Sequence, residues 1–276
     1  MKPTIEWNPN SLLCSLLFEP LHIAIASLET RNFPTLIDLN RLLATQRPAI
    51  TVDSGLPIRF IAQQYGKLAF EAQYEPRCYL EGLLQTRVQN WHDLLNALVW
   101  LTFPKSKAAI NRLHYRAFTE KPVEGTSQRG AVRDMSTLFD ESGVVVVYSA
   151  PELALLMKNF QWKELFWQRR EQLKTSMGFY LFGHGLYEKA LNPYVGLTGQ
   201  GLMLAVEADF FAWTSSKQLS YLDERVADYL NSHCRSTREL TPVPLLGMPG
   251  WSADNGCAAY YDNTQYFRPG RRKKPA

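Results

Sequence analysis

The sequence predicts an α+β fold, a helix-dominated single domain with a small sheet and an irregular, aromatic-rich C-terminal arm. Three observations carry that expectation. Apolar residues recur at helical spacing through much of the chain, as in Leu36-Ile37-Asp38-Leu39-Asn40-Arg41-Leu42-Leu43 and Leu219–His233. Strand-like runs are few and short, Val144-Val145-Val146-Val147-Tyr148 being the clearest. The last thirty-odd residues crowd prolines and glycines with large rings, from Pro242-Val243-Pro244 through Pro249-Gly250-Trp251 to Tyr260-Tyr261. An arm with so many rings is expected to pack back across the body. Residues 1–269 read as one globular domain and 270–276 as a basic, disordered tail.

The elements follow in order. Residues 11–46 read as short helices, with Pro34 near one start and Thr45 to Pro48 as a stop. Residues 57–75 read as extended, with Ile58, Phe60 and the alternation Leu68-Ala69-Phe70-Glu71-Ala72-Gln73-Tyr74 pointing to a hairpin or a pair of strands, with Gly66 in or near the turn. Asn90–Leu101 is a helix apolar on nearly every side, which places it in a core. A second helix runs from Lys105 to about Phe118. A polar loop spans Gly125–Gly130. Two β-prone runs about Asp140-Glu141-Ser142-Gly143 read as a hairpin, with the first run as a helix end the alternative. Pro151 opens a helix to Phe160, and Trp162–Leu191 is helical with a break near Gly178. Gly196–Gly201 reads as a turn, Leu202–Trp213 is ambiguous, and Leu219–His233 is helical.

Composition bounds the function. The 276 residues are 46% hydrophobic and 20% charged, which suits a globular chain able to bury a core without staples. The net charge of +4 is matched by Arg271, Arg272, Lys273 and Lys274 alone, so the body is neutral. A neutral body lacks the broad basic footprint of a duplex binder, and nucleic acid is not the expected partner. Cys14, Cys78, Cys234 and Cys257 have neither zinc-finger nor disulfide-framework spacing. No apolar run is long enough to span a bilayer, and the N-terminus does not read as an export signal. The expected location is cytoplasmic, without a membrane partner.

Common catalytic signatures are missing: no G-x-S-x-G elbow, no phosphate loop, no H-E-x-x-H helix and no EF-hand. Three polar clusters remain. In the buried helix, His92 and Asn96 share a face with Asp93 beside them. Asn90 and Asp93 are expected to cap the helix start, but a helix start does not require an imidazole. In Gly183-His184-Gly185-Leu186-Tyr187-Glu188, His184 and Glu188 lie four apart, the spacing of a metal pair or an acid–base pair. Glycines on both sides of His184 imply close backbone approach, either by a neighbouring element or by a ligand, and a core histidine paired with backbone is the alternative reading of His184. The third cluster is Arg129, Arg133 and Asp134 with Asp140 and Glu141; the arginines suit an anion, and Asp140 and Glu141 are expected in a turn.

The segments NWHDLLNALVWLTFPKSKAAIN (90–111), RGAVRDMSTLFDESGVVV (129–146), FGHGLYEKAL (182–191), PLLGMPGW (244–251) and YYDNTQYFRP (260–269) resemble the bacterial domain-of-unknown-function 3025 family. The resemblance implies a single bacterial cytoplasmic domain. It lends no activity and no catalytic residues.

Two functions compete. The first is a metal-assisted hydrolase or related enzyme on a small polar or anionic substrate. His92, His184 and Glu188 would act as catalytic groups and, with Asp93 or Asp134, as ligands of zinc, manganese or iron; Arg133 and Asn96 would hold the substrate. It requires His92 and His184 within about 10 Å, the reach of shared ligation. The second is a non-catalytic scaffold that binds a protein partner through Trp162, Trp167 and Trp251, which requires them to form an exposed patch. A weaker third option is RNA contact through the basic tail.

Overall fold

The computed structural model describes residues 5–119, 128–234 and 236–270. Short helices α1 (Pro9–Leu13), α2 (His22–Ala26) and α3 (Leu36–Thr45) open the chain, as the apolar spacing predicts. Thr35 and Asp38 cap α3 reciprocally, each side chain taking the other's backbone N–H.

The expected hairpin or pair of strands over 57–75 does not form. Only β1 (Arg59–Ala62) is a strand there, and it pairs in parallel with β2 (Leu83–Thr86). Parallel strands need a crossover, which α4 (Tyr74–Glu81) supplies; the alternation near Phe70 is a 3₁₀ turn leading into it. Gly82 ends α4 in the left-handed region at φ 69°, where a Cβ would sit 2.4 Å from the Pro57 carbonyl oxygen.

Helices α5 (Trp91–Thr102) and α6 (Pro104–Thr119) match the two expected helices. Leu94, Leu95, Leu98, Val99 and Trp100 of α5 are buried, and each such side chain contributes about 1.5–3 kcal/mol of transfer free energy. The start of α6 is capped from a distance. Asp223 of the later helix α11 (Ser215–Ser232) accepts from the N–H groups of Lys105 and Ser106 at 3.0 and 2.8 Å.

Part of the loop expected at Gly125–Gly130 lies outside the described residues, and Gln128–Ser142 form α7. The run Thr137–Glu141 is therefore the helix-end alternative and not a hairpin strand, and Asp140 and Glu141 are in the last turn of a helix. β3 (Gly143–Tyr148) follows directly. α8 (Pro151–Lys158) is as expected, but the helical stretch 162–191 conceals a strand. After a π-helical segment at Glu164–Gln168 and α9 (Arg170–Ser176), β4 (Met177–Leu181) buries Met177, Phe179 and Leu181 on alternate positions before α10 (His184–Ala190). β5 (Thr198–Ala205) includes Gly199 and Gly201, which had read as a turn. A Cβ on Gly199 would lie 2.4 Å from Val144 Cγ2, so the strand passes where only glycine fits.

The main sheet has the order β4-β3-β5 with β6 (Thr241–Pro244) at the edge; β3 runs antiparallel to β4 and parallel to β5. β3 is the hydrophobic centre, with Val144 to Val147 fully buried. The two prolines of β6 suit an edge strand. The arm packs back as expected, burying Tyr261, Tyr266 and Phe267, and Tyr266 Oη donates to the Leu197 carbonyl at 2.8 Å. No described helix is long and apolar enough to cross a membrane.

A candidate metal centre in a polar cleft

Three elements meet at one end of the sheet. The N–H groups of Phe182 and Gly183 both donate to the Gly143 carbonyl, at 3.0 and 2.9 Å, which ties the start of α10 to the end of α7. α5 packs against α10 from the other side. His92 near the start of α5, Glu141 at the end of α7 and His184 at the start of α10 thereby converge. The two histidines are 92 positions apart in sequence, yet their Nε2 atoms are 3.0 Å apart. Glu141 Oε1 lies 3.6 Å from His184 Nε2 and 3.9 Å from His92 Nε2.

The spacing suits a shared cation. Ligand atoms about 2.1 Å from a tetrahedral ion are separated by about 3.4 Å, close to all three distances. The partners behind the rings add to this. His92 Nδ1 is 2.9 Å from Glu188 Oε2, so Nδ1 carries the proton and donates to that carboxylate. His184 Nδ1 is buried, makes no hydrogen bond of ordinary length, and faces the Asp140 carboxylate at 3.6 Å. A proton on that nitrogen is the arrangement that sets donor against acceptor. With the proton on Nδ1 of both rings, the two Nε2 lone pairs would face each other and suit a cation between them; with His184 protonated at Nε2 instead, that N–H donates to His92 Nε2 at 3.0 Å. Carboxylates behind ligating imidazoles are the usual outer partners of bound metals.

Electrostatics agrees. Burial pushes the His184 pKa down to about 4, with Lys107 and His92 adding to the fall and Asp140 opposing it. The ring is neutral at pH 7, as a ligand must be. Burial alone would raise the Asp140 pKa, but Lys107, His184 and a hydrogen bond from Lys107 Nζ hold it below the usual carboxylate value. Burial raises that of Glu141, against the pull of His92. Two carboxylates in the last turn of a helix oppose its dipole and cost stability there. Lys107 is hydrogen-bonded to Asp140, while Glu141 feels the charges of His92, Lys107 and Lys189 without a hydrogen bond from either lysine.

The glycines beside His184 have a direct reason. A Cβ on Gly185 would lie 2.3 Å from Glu141 Oε2, and one on Gly183 would lie 2.5 Å from the backbone nitrogens of Ser142 and Gly143.

The centre opens into a cleft of about 520 Å³, lined on its other walls by Tyr74, Glu75, Gln85, Arg87, Asn96 and His114. Asn96 lies one turn beyond His92 on α5, and its Nδ2 donates to Tyr74 Oη at 2.7 Å while its buried Oδ1 has no hydrogen-bond partner.

Of the residues expected from the sequence, His92 and His184 meet, Glu188 stands behind His92, and Asn96 lines the cleft. Asp93 does not join them. Asn90 caps α5 through Asp93 N–H, and the Asp93 carboxylate accepts from the backbone and guanidinium of Arg87, at 2.6 to 2.9 Å. Asp134 and Arg133 are not there either. At 1.5 Å per residue they sit about 10–12 Å back along α7, where they are exposed and face each other at 3.6 Å. The Arg129 side chain and the basic tail lie outside the described residues. Glu141, expected in a turn, is the carboxylate that joins the two histidines instead. Sequence motifs do not point to Lys107, Glu75, His114 or Thr137. Their signal is a stripe of Lys107, Asn111 and His114 along one face of α6, all buried.

The tryptophans expected to form a docking patch do not. Trp162 is buried, and Trp167 and Trp251 are half-buried.

An α+β fold with a His–Glu–His cluster in a polar cleft defines the class. The chain belongs to the family described as protein of unknown function DUF3025, whose model matches residues 58–271. No curated protein and no solved structure matches it.

Proposed function

We propose that this protein is a cytoplasmic, metal-dependent hydrolase or a closely related enzyme acting on a small polar or anionic substrate. The observation that carries the reading is the pair of His92 and His184 Nε2 atoms, 3.0 Å apart with their other nitrogens turned to carboxylates and Glu141 beside them. Two imidazoles and one carboxylate suit zinc, manganese or iron. A divalent cation held there would supply Lewis acidity and make a nearby water a nucleophile close to neutral pH. Glu188 and Asp140 would orient the two rings, and Lys107 would hold Asp140 in its charged form. A cleft of about 520 Å³ is in the range of small-molecule sites. Its amide and hydroxyl lining favours a polar substrate, which Asn96 and Tyr74 would position.

Elemental analysis of the purified full chain tests the proposal, beside His92→Ala/His184→Ala and Glu141→Gln variants that keep the native circular dichroism. About one zinc, manganese or iron per chain is expected, lost in the double variant and reduced by Glu141→Gln. Metal-dependent turnover of small esters or phosphomonoesters, lost in the same variants, would establish the hydrolase. No metal in any sample after reconstitution would sink the reading.

A further inference from the structure

The same cleft carries a second constellation that the metal reading does not use. Glu75 on α4, His114 on α6 and Thr137 on α7 form a chain of hydrogen bonds. Glu75 Oε1 lies 3.0 Å from His114 Nδ1, and His114 Nε2 lies 3.2 Å from Thr137 Oγ1. Glu75 is itself pinned. Asn111 Nδ2 donates to its second carboxylate oxygen at 2.6 Å and to its backbone carbonyl at 3.0 Å. His114 is buried, whereas Thr137 is exposed, and all three line the cleft. Thr137 lies four residues before Glu141, on the same face of α7, so the two side chains are about one helical turn apart.

We propose that Thr137, His114 and Glu75 form a nucleophile–base–carboxylate relay for acyl transfer, opening into the cleft beside the His92–Glu141–His184 cluster. The geometry meets the requirements of such a relay. The nucleophile and base are within hydrogen-bond reach, and a third, fixed group orients the base. Glu75 accepts from Nδ1–H, which leaves the Nε2 lone pair to take the proton of the threonine hydroxyl. Burial alone would weaken this imidazole as a base, but the Glu75 hydrogen bond and charge outweigh it and raise its pKa. A hydrogen bond serving only to join α4 to α6 has no need of an exposed hydroxyl at the far side of the ring.

The step balances without a cofactor. Thr137 Oγ1 bonds to the carbonyl carbon of an ester or strained lactone while its proton passes to His114 Nε2. Collapse of the tetrahedral adduct breaks the bond to the leaving oxygen, which takes that proton from His114. Water then cleaves the threonyl ester by the same route. Glu75 is a positioning residue, since it acts through His114. The relay stands whether or not the neighbouring cluster binds a metal.

The test uses the full chain, stripped with a chelator so that the metal proposal cannot decide the result, and a β-lactone probe of the N-acylserine type. Intact mass and peptide mapping should show one acyl group per chain on Thr137, absent in Thr137→Val and retained in Thr137→Ser. In His114→Asn labelling should slow at least tenfold. Thr137 is exposed, so its variants should keep the fold if His114→Asn does not, and the serine–valine contrast then decides. No adduct at Thr137 in the wild type would overturn the proposal, as would acylation confined to the exposed thiols of Cys14 and Cys257. Labelling of Thr137 that is undiminished in a folded His114→Asn variant would reduce it to an ordinary surface hydroxyl and overturn it as well.

Discussion

Gly185 and Glu141 leave no room for a side chain between them: a Cβ on the glycine would stand 2.3 Å from Glu141 Oε2. The neighbouring Gly183 faces backbone instead of a side-chain tip, with a Cβ 2.5 Å from the nitrogens of Ser142 and Gly143. The two glycines therefore separate the demands of the site from those of the fold.

Alanine at each should fail differently. Gly185→Ala is expected to cost about 1–2 kcal/mol, because the flexible carboxylate can swing away but the Glu141 carbonyl oxygen, 3.0 Å from the added Cβ, must also give slightly. It should nonetheless weaken metal binding at least tenfold by displacing Glu141. Gly183→Ala must move backbone and should cost several times more stability. Urea unfolding beside metal titration reads both; equal stability losses would contradict the assignment.

Removing the carboxylate behind His92 should weaken the centre without dismantling it. Glu188→Gln is expected to lower metal affinity about 10- to 100-fold, the usual effect of losing an outer partner. Competition with a chromophoric chelator measures it. Affinity equal to wild type would mean that Glu188 does not set the His92 tautomer.

Lys107 and Asp140 are both buried, with side chains 5% and 12% exposed and Nζ hydrogen-bonded to Oδ1. Lys107→Met would strand the Asp140 charge and should destabilise the fold by about 3–5 kcal/mol. Thermal or urea unfolding checks the magnitude, and a loss under 1 kcal/mol would show Asp140 to be solvated.

The metal-free protein should also lose stability in mild acid. His184 has its pKa lowered to about 4 in the fold, against about 6.5 in the unfolded chain. The unfolded state takes up the proton first as pH falls. The His184 contribution is therefore complete above pH 6.5 and is lost progressively down to about pH 4, a change on the order of 3 kcal/mol. Urea midpoints between pH 7 and 4.5 should drop in the wild type and flatten in a folded His184→Gln variant. A pH-independent wild type would refute this account of His184.

Much of the frame was legible in the sequence. The buried helix α5, its Asn90 cap, the α6 helix and the in-packed arm follow from periodicity, capping chemistry and ring content. β4 was not legible, because Met177–Leu181 follows a helix and is too short to announce its own period. β1 was half legible: the strand is there, but its partner is β2, beyond an intervening helix. Glu141 was misplaced for a related reason. Asp-Glu-Ser-Gly is a good turn sequence, and only the continuation of α7 into β3 puts the carboxylate on a helix end.

The sequence by itself determined the family, the fold class and the fact that His92 and His184 lie in apolar segments that must answer for them. Local propensity and burial pattern suffice for that, since they depend on neighbours a few residues away. Only the tertiary structure decided that the two rings meet, that Glu141 lies beside them, and that Asp93 and Asp134 lie apart from them. Those facts depend on two N–H groups converging on the Gly143 carbonyl and on glycines thin enough for α10 to reach α7. Close approach of segments more than forty residues apart leaves no period in the sequence to read.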